Sequence, residues 1–137
     1  MTNSYIAPRL IDWQKKSGRH DLPWQKSNDP YVVWISEVML QQTQVSTVIP
    51  FFNKFIDSFP NINKLAEASE DEVMEHWSGL GYYRRAKFIM QSATILVKKY
   101  NATFPMTVDE LKSLPGIGKS TAGAICALAF KKPAPTL

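Results

Sequence analysis

Apolar positions recur along the chain at intervals of three and four residues, the period of a helix buried on one face. No run alternates apolar and polar residues between turn pairs of the Asn-Gly type, so the pattern predicts an all-α fold. Ile6, Leu10 and Trp13 mark a first short helix, with Gly18 where a C-terminal capping glycine belongs. Asp29-Pro30 then sets a capping side chain before a proline suited to the first helical position. The helix it opens, through Leu40, is apolar on nearly every side, which predicts central burial, and Glu37 is its only charge. Thr43 is the expected cap of a third helix carrying Val45, Val48, Phe52, Phe55 and Phe59, with a kink at Pro50. A helix of one or two turns is expected around Lys64 to Ala68. Ser69 with Glu72 forms a capping box for the next helix, which stops at Gly79. Tyr82, Ala86, Ile89, Ala93, Leu96 and Tyr100 trace one face of a long helix. A second capping box, Thr107 with Glu110, opens a helix that runs into Leu114-Pro115-Gly116-Ile117-Gly118, and a last helix follows from Lys119 to about Phe130.

Composition narrows the class without naming a function. The chain has 137 residues, 45% of them hydrophobic and 20% charged, which suits one globular domain with a real core. Sixteen Lys and Arg against twelve Asp and Glu leave a net charge of +4, compatible with a polyanionic partner. One cysteine excludes an internal disulfide and any site needing several thiolates, and fits a reducing cytosol. No stretch approaches the roughly 18 apolar residues of a membrane span, and the start carries no signal-peptide pattern; the expectation is a soluble cytoplasmic protein.

Two stretches could carry chemistry. In Leu114 to Ala122 the glycines Gly116 and Gly118 let the backbone turn sharply and approach a ligand, and the helix that follows offers unpaired amide donors at its N-terminus. Such a turn suits a phosphate, while a structural corner between two helices would need the same glycines. Glu37 is the second. Burial disfavours an ionised carboxylate, so a buried Glu can keep a proton near neutrality and deliver it, or serve as a structural carboxylate bonded to a neighbour. His76 and Cys126 have no partners at metal-ligand spacing and read as a surface and a core residue. His20 reads as a loop residue.

The string Leu114-Pro115-Gly116-Ile117-Gly118-Lys119-Ser120-Thr121-Ala122 resembles the helix-hairpin-helix motif of base-excision DNA glycosylases. Ser36-Glu37-Val38-Met39-Leu40-Gln41-Gln42-Thr43-Gln44-Val45, with Leu22-Pro23-Trp24 before it and Gly79-Leu80-Gly81-Tyr82-Tyr83 and Arg85-Ala86 after it, resembles the MutY-type adenine DNA glycosylases. The likeness extends from about Trp13 to the C-terminus, with its motifs in family order.

The resemblance implies a six-helix-barrel domain over 25–137, its hairpin at 107–130, with 1–24 an N-terminal helix and loop that belong to the family's cluster domain. It implies removal of adenine mispaired with 8-oxoguanine or guanine in double-stranded DNA. Glu37 would protonate the adenine ring so that the base leaves neutral. Gln42 and Thr43 would read the opposite 8-oxoguanine, Tyr82 would wedge into the duplex, and Trp24 and Leu40 would wall the pocket for the flipped adenine. Gly116, Gly118, Lys119, Ser120 and Thr121 would hold the phosphate backbone, with a monovalent cation on the main-chain carbonyls of Lys112, Leu114 and Ile117. Ser120 stands where endonuclease III-type relatives carry the lysine that forms a Schiff base, and Lys119 points about 100° away, which favours a glycosylase without a lyase step.

Family order would place a catalytic aspartate directly after Leu137, and the cysteines of a 4Fe-4S cluster and an 8-oxoguanine-recognition domain beyond it. The chain therefore reads as an incomplete catalytic region, expected to be inactive alone, monomeric, nucleoid-associated in a bacterial cytoplasm, and open to self-association through the apolar side of Ile6, Leu10 and Trp13. The alternatives are a non-catalytic DNA-binding hairpin module and an endonuclease III-like glycosylase-lyase.

Overall fold

The computed structural model describes residues 22–25 and 27–130. The expected first helix, His20 and the final residues after Phe130 lie outside them. Among the described residues every regular element is a helix: α1 (Pro30–Leu40), α2 (Val45–Ser58), α3 (Ile62–Glu67), α4 (Glu70–Trp77), α5 (Tyr83–Tyr100), α6 (Val108–Lys112) and α7 (Lys119–Ala129). Helix α1 packs against α2 and α7, α5 against α3 and α4, α6 against α7, and α2 against α4.

Helix α1 is central because its sequence leaves it no polar face. Tyr31, Val33, Trp34, Ile35, Ser36, Val38 and Met39 are all buried. Asp29 caps it by accepting from the Tyr31 amide at 2.9 Å, and Pro30 occupies the first turn, where no amide donor is missed. The Tyr31 hydroxyl donates to the Phe59 carbonyl at 2.5 Å, tying the start of α1 to the end of α2. Around α1, Phe52, Phe55, Trp77, Ile89, Leu96, Leu111, Leu114 and Ile125 complete one continuous apolar core.

Local chemistry explains most boundaries. Ser69 and Glu72 form the reciprocal capping box of α4. Asn61 caps α3, which begins two residues earlier than the apolar spacing suggested. The expected box at Thr107 is only half made. Thr107 Oγ1 accepts from the Glu110 amide at 3.2 Å, but its hydroxyl donates to the Glu110 carboxylate at 3.0 Å, which occupies the oxygen that would have reached back to the backbone. Thr43 does not cap α2. Gln44 holds that position without a side-chain bond, because the Thr43 hydroxyl donates to the Gln41 carbonyl at 3.2 Å and accepts from Arg85 at 3.4 Å.

Candidate active site and nucleic-acid interface

Glu37 lies half-buried on α1, and burial raises its carboxyl above the ordinary value. Among the described residues no hydrogen bond or ion pair holds its carboxylate, so desolvation acts without a compensating partner. A carboxyl in that state keeps a proton to higher pH and can give it to a bound base. Leu40, three residues on, is half-buried on the same side of the helix. Trp24 is half-buried in the turn that precedes α1 and packs edge-on against Phe52 of α2 at 5.1 Å between ring centroids.

Two long-range connections bring the candidate stretches together. Gln41 Nε2 donates to Thr121 Oγ1 at 3.3 Å, joining the end of α1 to the first turn of α7. Arg85, on α5, is buried and makes the second. Its Nη1 donates to the carbonyls of Val38 at 2.6 Å, Met39 at 3.0 Å and Gln41 at 2.7 Å. Its Nη2 donates to Thr43 Oγ1 at 3.4 Å and to the Gly81 carbonyl at 3.3 Å. Helix α1 has no basic residue in its own last turn, so α5 supplies the positive charge its carbonyl end favours. Desolvation lowers the Arg85 pKa, an effect Tyr82 partly opposes. Its Nε has no partner among the described residues, and the side chain lines a cavity of about 10 Å³ with Trp34, Gln41, Phe88 and Gly116, room for about one water. No role for Arg85 came from sequence reasoning. A signal existed: it sits four residues before buried Ile89 and seven before buried Ser92, on a stripe that is otherwise apolar or small.

The exposed ends of this assembly are Gln42 and Tyr82. Both adopt left-handed backbone conformations, φ 60° and φ 53°, which cost L-residues energy and which glycine usually takes. Tyr82 is 57% exposed, so it is no core aromatic. It caps α5 from outside, between Gly81, whose carbonyl also accepts from Trp77 Nε1 at 3.0 Å, and Tyr83, whose hydroxyl accepts from the Gly79 amide at 3.4 Å.

At the hairpin, Gly116 has φ 77° and Gly118 is the N-cap of α7 with no side-chain capping bond. Ser92 Oγ donates to the Pro115 carbonyl at 3.0 Å and fixes the turn to α5. Gly118, Lys119 and Ser120 at the start of α7 are exposed, and the first amides of a helix lack intrahelical partners, an arrangement suited to an anion. Thr121 is buried, its hydroxyl engaged by Gln41. Of the carbonyls considered for a cation, that of Leu114 accepts from the Ile117 amide at 3.2 Å; no described loop amide donates to those of Lys112 and Ile117.

The profile of the "HhH-GPD superfamily base excision DNA repair protein" family matches residues 35–135, which contain the second half of α1 with Glu37, the Tyr82 turn and the hairpin. The chain belongs to the HhH-GPD superfamily. Its similarity to an adenine DNA glycosylase of Buchnera aphidicola subsp. Baizongia pistaciae is 51% identity over 130 residues, covering 95% of this chain and 37% of that protein. With the human adenine DNA glycosylase it shares 41% identity over 130 residues, 88% of this chain and 24% of that one. The fold matches a thermostable thymine-DNA glycosylase with a TM-score of 0.78 at 28% identity, covering 88% of this chain and 55% of that one. A non-covalent endonuclease III–DNA complex matches with a TM-score of 0.72 at 25% identity, covering 79% of this chain and 51% of the other. The chain thus spans about a quarter to two-fifths of the length of these adenine glycosylases.

Other features of this HhH-GPD chain lie apart from the chemistry. Cys126 is buried in α7 with Sγ 3.7 Å from the Met106 carbonyl. It is the chain's single cysteine, and no group of three His, Cys, Asp or Glu among the described residues could hold a metal ion. The residues present do not fit a cluster that needs four thiolates. His76, expected on the surface, is half-buried between α4 and α2, bonded to the Glu72 carbonyl and to Ser58 Oγ and stacked near Phe59. A larger open groove of about 230 Å³ between α3 and α5 is lined by none of the candidate residues. No helix among the described residues is long and apolar enough to cross a membrane.

Proposed function

We propose that this chain carries the base-protonating and DNA-gripping part of an adenine DNA glycosylase acting on adenine opposite 8-oxoguanine or guanine. The observation that carries the reading is Glu37: a half-buried carboxyl with raised pKa and no partner among the described residues, on a helix whose end is bonded to Thr121 of the hairpin and, through Arg85, to the Gly81–Tyr82 turn. The adenine glycosylases it resembles supply the substrate. Base removal requires the adenine to leave the duplex stack, so the surface must grip backbone, offset the unstacking and present an acid. Gly116, Gly118, Lys119 and Ser120 hold the phosphates, with a monovalent cation on the carbonyls of Lys112, Leu114 and Ile117 adding charge there, while buried Thr121 serves the grip by tying the hairpin to Gln41 instead of meeting phosphate itself. Tyr82 fills the gap beside the flipped base, and Gln42 and Thr43 read the opposite one. Trp24 and Leu40 wall the pocket, and Glu37 gives its proton to the ring so that adenine departs neutral. Ser120 has no amine to attack the sugar, which supports hydrolysis over lyase chemistry.

The test is single-turnover release of adenine from a duplex carrying adenine opposite 8-oxoguanine, by this chain joined in frame to the remaining length of the Buchnera aphidicola relative. Release that Glu37→Gln abolishes while duplex binding persists is the expected result. Binding without release in both proteins would instead favour a non-catalytic DNA-binding module.

A further inference from the structure

Arg85 is a cation with only 8% of its surface exposed, and its bonds run almost wholly to main-chain oxygens of two separate turns. A buried charge needs a dense set of acceptors, and a fold that wanted only packing at this stripe position could use an aliphatic side chain. The acceptors here flank strained backbone. Gln41 and Thr43 stand on either side of Gln42 (φ 60°), and Gly81 directly precedes Tyr82 (φ 53°). The guanidinium carbon also lies 5.1 Å from the Tyr82 ring centroid and 5.6 Å from that of Trp77, within cation–π range of the exposed Tyr82 ring itself. One rigid side chain therefore touches both turns that carry left-handed, exposed side chains at the end of α1 and the start of α5.

We propose that Arg85 is a positioning residue that holds the Gln42 and Tyr82 turns as one unit, so that the two side chains are presented to a duplex in fixed relative geometry. The claim rests on the function proposed above for what the turns do, but not for what couples them. Lysine would keep the charge, yet its single ammonium cannot span the Gln41 carbonyl, Thr43 Oγ1 and the Gly81 carbonyl as the planar fork does.

Hydrogen–deuterium exchange on the free, full chain reads the coupling without DNA. In Arg85→Lys, amides of 41–44 and 80–83 should exchange about tenfold faster together, while amides of α3 and α6 follow global stability alone. Leu65→Ala, a buried change in α3, is the control for general destabilisation and should accelerate no turn preferentially. Thr43→Val is the milder variant should Arg85→Lys fail to fold. It removes one bond to Arg85 and should loosen 41–44 and, to about threefold, 80–83 as well. Loosening confined to 41–44, or turns as protected in Arg85→Lys as in the parent, would overturn the coupling. On DNA, Arg85→Lys should lower the preference for an adenine:8-oxoguanine duplex over a matched one about tenfold and leave the salt-dependent affinity for matched duplex unchanged. If the parent itself shows no preference, the proposed function fails, and the exchange data still decide the role of Arg85.

Discussion

A methyl group placed on Gly116 would stand 2.8 Å from Cβ of Phe88, closer than such carbons approach, and the glycine's φ of 77° would strain any replacement even with the space clear. Gly118, two residues on, meets nothing within 4 Å and has an ordinary extended backbone with φ −94°. The two glycines of the hairpin therefore do different work. Gly116 lets the turn lie against α5, where Ser92 holds the Pro115 carbonyl. Gly118 keeps the approach to the first amides of α7 open.

Substitution should separate these roles. Gly116→Ala combines a left-handed penalty of about 1–2 kcal/mol with overpacking against Phe88 of similar size, so a loss of roughly 3 kcal/mol is expected in urea unfolding. Gly118→Ala loses only N-cap preference, about 0.5–1 kcal/mol, but its methyl intrudes where a phosphate would sit. Its affinity for duplex DNA should fall more than its stability does. Equal unfolding midpoints for the two variants would show that the Phe88 contact does not constrain the hairpin.

The end of α5 offers a gain instead. Asn101 and Ala102 both have positive φ, 56° and 61°, and the Ala102 amide closes the helix by donating to the Leu96 carbonyl at 2.8 Å. Asn tolerates that region, whereas an alanine there pays for its Cβ. Ala102→Gly should stabilise the chain by about 0.5–1 kcal/mol net of the added freedom of the unfolded state, a rise of ~3 °C in Tm. A lower Tm would mean that the Ala102 methyl contributes more packing than its half-buried position suggests.

Elements governed by neighbours in sequence were legible before the structure. The Asp29-Pro30 start of α1 and the Ser69–Glu72 box depend on side chains within a few positions of the backbone they serve, and the turn before α7 announces itself by its two glycines although Phe88 and Ser92 fix where it lies. Thr43 was misread for the opposite reason. Its hydroxyl is taken by an arginine 42 residues away, and no local rule weighs that competitor. The same distance hid Arg85, whose acceptors lie 44 to 47 residues back along the chain. Glu37 stood out as the only charge of an apolar helix; that its carboxyl finds no partner among the described residues is a fact of packing that sequence could not supply.

Ser120 and Lys119 both lie exposed in the first turn of α7, separated by about 100° around the helix axis. A hydroxyl cannot form a Schiff base with an abasic sugar, and a lysine turned about 100° from that position is poorly aimed at it. Borohydride treatment of the joined protein with an adenine:8-oxoguanine duplex should therefore give little or no covalent protein–DNA adduct. Efficient trapping would move the assignment to the glycosylase-lyase class.

Glu37 should leave a pH signature on stability. An unfolded glutamate ionises near its ordinary value, about 4.3, while desolvation puts the folded pKa higher. Between the two, the folded state retains a proton that the unfolded state has released, so stability falls as pH rises through that window. Below the unfolded pKa both states are protonated and nothing is lost; above the folded pKa the loss is complete and constant. Glutamine keeps the shape and never ionises. Glu37→Gln should therefore melt with the parent near pH 4 and gain on it as pH rises through that window, the advantage levelling off only above the folded pKa; in the joined protein the same change removes the proposed proton donor. Paired thermal melts from pH 4 to pH 8 measure the difference directly, other titrating groups being common to both proteins. A parent as stable as the variant at neutral pH would place the Glu37 carboxyl in a solvated or bonded setting, and the case for it as the stored acid would fall with that result.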